Sequence, residues 1–344
     1  MQHLLSPGPL LNEHGNLVEA GFAYSLVKQY DRAAIKVRKG RIKEWDYYYV
    51  GNKDYGVALT VADNGYMSMA SISVLEFGQN PFDVTKSVIG LFPYGKLGLP
   101  SDSSNGDIVF ENKKKGFSMR FLHQGENRRL ICSMDKFDKA KRAFRCDITL
   151  TETVGKSMVI ATPWEKPRHF YYNQKINNLR AGGYAKVGEK TYDFNKDSFG
   201  VLDWGRGVWT YKNTWYWSSL NAQQDGHTIG FNLGYGFGNN TRASENMFYF
   251  DQEAYKLGDI KIDIPMKGLG GDDFMSPWAF RSASGEVEMR FTPIYDRHAD
   301  TNLLVLRSNQ HQVFGTFNGV IRVEGKEFEI HDLPGFAEKV FNRW

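Results

Sequence analysis

Over much of the chain apolar and polar residues alternate one for one, the pattern of a strand whose successive side chains point to opposite faces. Over 144–150 the even positions are Phe144, Cys146, Ile148 and Leu150, with Arg145, Asp147 and Thr149 between them. Phe117, Met119 and Phe121 alternate with Ser118 and Arg120, and Val287, Met289 and Phe291 with Glu286, Glu288 and Arg290. Each run predicts a strand with one wet face. Turn signals separate such runs at short intervals: Asp63-Asn64-Gly65, Ser104-Asn105-Gly106, Asp225-Gly226, Ser284-Gly285 and Glu324-Gly325-Lys326. Many short strands in antiparallel pairs are therefore expected. Helical periodicity is confined to 83–88 and to 335–344, where Phe336, Val340 and Trp344 recur every four residues but also share strand parity. Without alternating strand and helix units, doubly wound sheets and parallel barrels are disfavoured, and an antiparallel barrel or sandwich pair remains. Pro163 and Pro167 bracket Trp164 and Glu165 between two blocks of strands. The domain boundary is placed there, dividing the chain into 1–165 and 166–344.

Composition agrees with a β-rich globular chain: 8 Trp, 18 Tyr, 24 Phe and 35 Gly against 11 Pro in 344 residues. With 24% charged and 41% hydrophobic residues, neither a disordered chain nor a membrane bundle fits, and a soluble protein is expected. Net charge is +4, and the one dense basic run, Lys113 to Lys115, sits beside Gly116 at a predicted hairpin tip. Lys and Arg are otherwise spread between acids, which argues against a nucleic-acid face. Cys132 and Cys146 are too few for a disulfide framework and wrongly spaced for a zinc site. They read as buried thiols in a reducing compartment, so a cytoplasmic location is expected. The opening MQHLLSPGPLL has no cationic stretch ahead of a long apolar run, and no run approaches the roughly 18 apolar residues of a spanning helix. Neither an export signal nor a transmembrane segment is expected, and the glycosylation pattern Asn239-Asn240-Thr241 then carries no meaning.

The densest feature is VLDWGRGVWTYKNTWYWSSL (201–220), which holds half of the tryptophans. On one continuous strand Trp209, Tyr211, Trp215 and Trp217 would form a wall of rings. Each indole hides roughly 150–250 Å² from water, on the order of 4 to 6 kcal/mol as an upper bound, so the wall either seals a core or lines a ligand cavity. Both readings are open. Asp203 and Arg206 lie among these rings, with Gly205 and Gly207 around the Arg. They read either as a latch, with Trp209 stacked on the guanidinium, or as groups facing a ligand. In IKEWDYYYV (42–50), Glu44 and Asp46 share one strand face and Lys43, Trp45 and Tyr47 the other. The two carboxylates are either acid and base or a solvated edge. NMFYFD (246–251) sets Phe248 and Phe250 opposite Tyr249 and Asp251. An inward Asp251 would be an acid in an aromatic pocket, its pKa raised by desolvation; an outward one would be ordinary surface. His169, His227, His298 and His311 lack metal-site spacing; His227 follows the Asp225-Gly226 turn, and His298 reads as a polar-loop residue. FNLGYGFGNN (231–240) lacks the features of dinucleotide and phosphate loops, and no GxSxG occurs. Neither a nucleotide cofactor nor serine-hydrolase chemistry is expected.

Four segments carry a resemblance: IKEWDYYYV (42–50), LTVADNGY (59–66), VLDWGRGVWTYKNTWYW (201–217) and FGTFNGVIRVEGKEFEIHDLPGFAEKVFNRW (314–344). Together they resemble domain-of-unknown-function family 2804 over nearly the whole chain. The resemblance implies an all-β fold of two lipocalin-like antiparallel β-barrels, calycin-like, with few short helices. That family is similar to the two-barrel carotenoid hydratases and some fungal cyclising enzymes, in which apolar ligands lie between or inside barrels. There an acid protonates an alkene while rings shield the carbocation, a role for which Asp203 or Asp251 beside Trp209, Trp215 and Trp217 is suitable in type. No catalytic motif transfers position by position. The expectation is an apolar or amphipathic small molecule in an aromatic cavity, with acid-assisted hydration, isomerisation or cyclisation and no metal or cofactor. A lipid or isoprenoid carrier and a filled aromatic core are the alternatives. Candidate catalytic residues are Asp203, Arg206, Asp251, Glu44, Asp46 and His227; candidate ligand-binding residues are Trp45, Trp204, Trp209, Tyr211, Trp215, Trp217 and Tyr249.

Overall fold

Alternation becomes pairing throughout the computed structural model, which describes residues 2–268, 270–303 and 306–343. One antiparallel sheet of 13 strands and one of nine carry the chain, beside a short parallel pair, Gly8–Pro9 with Lys28–Gln29. One sheet closes nearly into a barrel and the other forms a half-barrel. The helical pieces Arg32–Ala34, Lys39–Arg41, Lys113–Lys115 and Asn240–Arg242 are single 3₁₀ turns. Among the described residues, no helix is long and apolar enough to cross a membrane.

The first sheet runs Phe82–Leu91, Met67–Glu76, Tyr55–Asp63, Lys43–Gly51, Phe199–Val208, Phe170–Val187, Phe144–Thr151, Asn127–Met134, Phe117–Gln124 and Ile108–Asn112. Met158–Pro163 and Lys190–Phe194 add to Phe170–Val187, and Gly21–Ala23 to Met158–Pro163. The second sheet runs Glu253–Lys256, Met247–Phe250, His227–Tyr235, Lys212–Gln224, Lys326–Arg343, Leu306–Val323, Val287–Leu303, Trp278–Ser282 and Ile260–Asp263. The alternating residues Phe117, Met119, Phe121, Phe144, Cys146, Ile148, Leu150, Val287, Met289 and Phe291 are all buried. Asp225 and Gly226 take positive φ in a two-residue hairpin, the backbone that matches strand twist. Cys132 and Cys146 lie opposite each other on neighbouring strands as free, buried thiols.

Both segments with helical spacing are strands, Phe82–Leu91 and Lys326–Arg343. A four-residue repeat is also an even one, so pairing with the neighbouring strand decides between them. Trp344 lies outside the described residues. The prolines at 163 and 167 bound a turn inside the first sheet, since Pro163 pairs with Phe170 across it. The chain passes from one sheet to the other between Val208 and Lys212. Prolines mark a chain reversal, and a reversal within a sheet looks the same in sequence as a passage between sheets.

Each sheet has its own core, one holding Tyr48, Phe121, Ile148 and Trp204, the other Phe231, Phe248, Trp278 and Phe317. Between them lies a seam of buried side chains from both sheets: Tyr171, Trp209, Phe237, Met247 and Tyr249 at one end, Val201, Trp217, Phe314 and Phe336 at the other.

Candidate functional site

Strand parity sorts the charges of the first sheet onto two faces. Asp203 and Arg206 are an odd number of residues apart on Phe199–Val208, so they point to opposite sides, and the expected pair does not form. Arg206 points into the first barrel, fully buried. Its Nη2 donates to Asp46 at 2.9 Å and to the Pro100 carbonyl at 2.8 Å, and its Nη1 to the Trp45 carbonyl at 2.7 Å. The guanidinium stacks on Trp204 at 4.3 Å, not on Trp209. Glu44 faces the same interior, accepting from Tyr30 Oη at 2.7 Å and pairing with Arg32. Glu44 and Asp46 are thus buried in the barrel rather than set on a solvated edge, and burial pushes both carboxyls above their ordinary range. Gly205 has a steric reason: a methyl group there would overlap the Trp45 indole lying across it.

Asp203 faces the seam. Its neighbours in register are Lys175 on one side and Tyr47 on the other. Lys175 Nζ lies 2.8 Å from Asp203 Oδ1, which also accepts from Asn173 Nδ2 at 2.6 Å. Opposite stands a register row of the second sheet, Trp217, Glu338 and Gln312. The rows meet where Lys175 Nζ sits 4.0 Å over the Trp217 ring and Gln312 Nε2 donates to Tyr47 Oη at 3.2 Å. Glu338 accepts from Trp215 Nε1 at 2.8 Å and from Gln312 Nε2 at 3.2 Å. Glu245 brings its carboxyl against Gly234, the register partner of Trp217. Three carboxyls therefore share the seam, and the Lys175 ammonium beside them is bonded to Asp203. Desolvation pushes Glu245 and Glu338 up to about 7, and the Asp203 charge works in the same direction. Near neutral pH these two carboxyls are partly protonated, the condition for a proton donor.

The aromatic block is split by the fold. Trp204 belongs to the first barrel, Trp209 opens the passage between sheets, Tyr211 is 47% exposed, and Trp215 with Trp217 lies on the second sheet. The continuous wall from 209 to 217 does not exist. Trp209, Trp215 and Tyr171 pack instead around Phe237, at 5.2, 5.2 and 4.6 Å, and Trp45 lies 5.2 Å from Trp209. Tyr249 is buried in the same cluster. Asp251 is the outward alternative: it turns the hairpin at positive φ and meets His227 Nδ1 at 2.7 Å, both side chains about half exposed. Partial burial would raise its pKa, but hydrogen bonds from His227 and the Thr228 N–H outweigh this and hold it low. His298 sits on a strand, not a loop, stacked 4.0 Å from its register partner His311. Among the described residues no three His, Cys, Asp or Glu side chains are grouped to hold a metal ion.

The seam opens at one end into a cleft lined by Tyr49, Phe77, Phe199, Phe314 and Phe336, with Lys53, Ser219 and Asn221 among its polar groups. Its free volume is about 40 Å³, room for water rather than for the roughly 300 Å³ of a small-molecule pocket. Phe336, 4.9 Å from Trp217, separates this cleft from the carboxyl row. Lys175, Glu245 and Gln312 carry no motif, and Tyr47 and Glu338 lie in segments that carry the family resemblance but point to no role. Nothing in the sequence says which sheet faces which.

The fold and its seam define an all-β protein of one nearly closed barrel and one half-barrel sheet, with ionisable groups buried where the sheets meet. The chain belongs to the family described as Domain of unknown function (DUF2804), whose model matches residues 1–344. No curated protein sequence matches it. Among solved structures it is similar to an AttH-type protein from Nitrosomonas europaea, at 11% identity and TM-score 0.55 over 92% of this chain and 98% of that one. It is also similar to kievitone hydratase from Nectria haematococca, at 13% identity and TM-score 0.50 over 91% and 95%. These likenesses concern the fold.

Proposed function

We infer that this protein binds a mostly apolar, unsaturated small molecule in the seam between its barrels and acts on it by acid-assisted hydration, isomerisation or cyclisation. One observation carries the reading: two buried carboxyls, Glu245 and Glu338, face the seam, where Lys175 is engaged by Asp203. A carboxyl kept neutral by burial can protonate an alkene carbon. In hydration a water then adds to the carbocation and returns its proton to the carboxylate. In isomerisation a different proton passes from the carbocation to the carboxylate, and in cyclisation an internal double bond attacks and the new carbocation then loses a proton to the same carboxylate. Trp215, Trp217 and Tyr47 are the rings placed to shield positive charge. A two-barrel fold like that of a hydratase supports the reading. It requires the rings of Tyr49, Phe314 and Phe336 to part, because the cleft they line holds only water-sized space.

Native mass spectrometry of gently purified protein, followed by incubation with a panel of isoprenoid and prenylated alkenes in heavy-oxygen water, tests it. Wild type is expected to retain a small molecule and to form a product, labelled if hydration is the reaction, while Glu338→Gln keeps its fold and loses turnover. A ligand held equally by both proteins without turnover assigns the carrier role instead. Neither ligand nor product leaves the seam a filled core.

A further inference from the structure

We propose that the face built from the loop after Phe82–Leu91 and the basic segment 36–41 docks on an anionic lipid bilayer surface. The loop displays what soluble surfaces usually bury: Leu91 is 74% exposed, Phe92 56% and Tyr94 43%, next to Ile89 at 55% on the outermost strand of the sheet. Phe92 and Tyr94 both hold left-handed backbone, φ 54° and 51°, which non-glycine residues adopt at a cost. Their rings stack on each other at 5.8 Å in water instead of packing inward. The strained shape is enforced from below: Phe92 N–H donates to the Tyr66 carbonyl, Tyr94 N–H to the Gly65 carbonyl, and Gly95 N–H to the Asp63 carboxylate. The apolar tip is thus presented on a rigid support.

Charge surrounds that tip. Residues 32–43 hold Arg32, Lys36, Arg38, Lys39, Arg41 and Lys43 without one acid. Gly40 sits under the Tyr94 ring, which places the 3₁₀ turn Lys39–Arg41 directly against the loop. Lys36, Arg38, Lys39 and Lys96 are exposed. Arg168 Nη1 reaches the Lys36 carbonyl at 3.5 Å, bringing exposed Lys166 and Arg168 to the same face. Arg32 and Lys43 are turned inward, to Glu44 and to the Asn64 carbonyl. The acids nearby are few: Asp31, which caps the turn Arg32–Ala34, exposed Glu13 and Glu165, and buried Asp63. An aliphatic and aromatic tip inside a ring of lysines and arginines matches a surface with anionic headgroups outside and hydrocarbon beneath. The leucine and isoleucine favour hydrocarbon over nucleotide bases.

Co-sedimentation of the full chain with vesicles of phosphatidylcholine alone, or with about one third phosphatidylserine, tests the proposal. Binding is expected only to the anionic vesicles and should weaken as salt rises from about 0.1 to about 0.5 M. Leu91→Asp with Phe92→Asp, and separately Lys36→Glu with Lys39→Glu, should each lower it by at least about tenfold. The second pair alters only exposed side chains and keeps the test valid if the loop variant folds poorly. Wild type that ignores anionic vesicles, or vesicle binding unchanged in the charge-reversed variant, overturns the proposal. So does displacement from vesicles by a single-stranded oligonucleotide of equal charge, or light scattering that shows a dimer abolished by the loop variant.

Discussion

Glu338 shows how a single residue takes its chemistry from its surroundings. In the unfolded chain its carboxyl ionises near 4.5, whereas in the seam it holds its proton up to about 7 because the charged form is desolvated. The folded state binds that proton more tightly, so wild type loses stability as pH rises from about 4.5 to about 7, and the loss is complete above both values. Glu338→Gln cannot ionise. Its stability in urea should match wild type within about 1 kcal/mol near pH 5 and exceed it by up to roughly 3 kcal/mol near pH 8. A stability difference that stays flat between these pH values would show that the carboxylate is already charged at low pH.

At the scale of elements, the junction between sheets depends on an irregularity in one strand. Phe170–Val187 loses register between Ile176 and Leu179, with Asn178 in left-handed backbone. The bulge turns Asn177 toward the second sheet, where its Nδ2 lies 2.9 Å from Ser219 Oγ, 2.9 Å from Asn221 Oδ1 and 3.0 Å from the Phe231 carbonyl. Asn177→Ala leaves these acceptors buried without that donor and should cost about 1 to 3 kcal/mol in urea unfolding. Loss below about 0.5 kcal/mol would mean that water replaces the amide. The strand Lys43–Gly51 shows how alternation both guides and misleads. It places Glu44 with Asp46 and Trp45 with Tyr47 on the faces they occupy, yet solvent and barrel interior look alike for a carboxylate until the partner Arg206 is seen arriving from another strand.

Over the whole molecule, the two barrels are held by a packed aromatic seam in which Phe237 is the common contact of Trp164, Tyr171, Trp209 and Trp215. Phe237→Ala should lower stability by about 3 to 5 kcal/mol, read from chemical unfolding monitored by tryptophan fluorescence. The four indoles and phenols around it report the same event, so unchanged fluorescence and midpoint would show that the sheets do not depend on this contact.

Local rules were enough for the strands, the tight turns and the buried thiols, because period-two alternation and positive-φ turn residues act within a few positions of the chain. Class and family were legible for the same reason, in long tryptophan-rich segments. The partner of each buried charge was not. Asp203 meets Lys175, Arg206 meets Asp46, and Glu338 meets Trp215 across sequence separations of 28, 160 and 123 residues. Which face of a strand becomes barrel interior, seam or surface is set by how two sheets curl and stack, and one strand's residues carry no record of that.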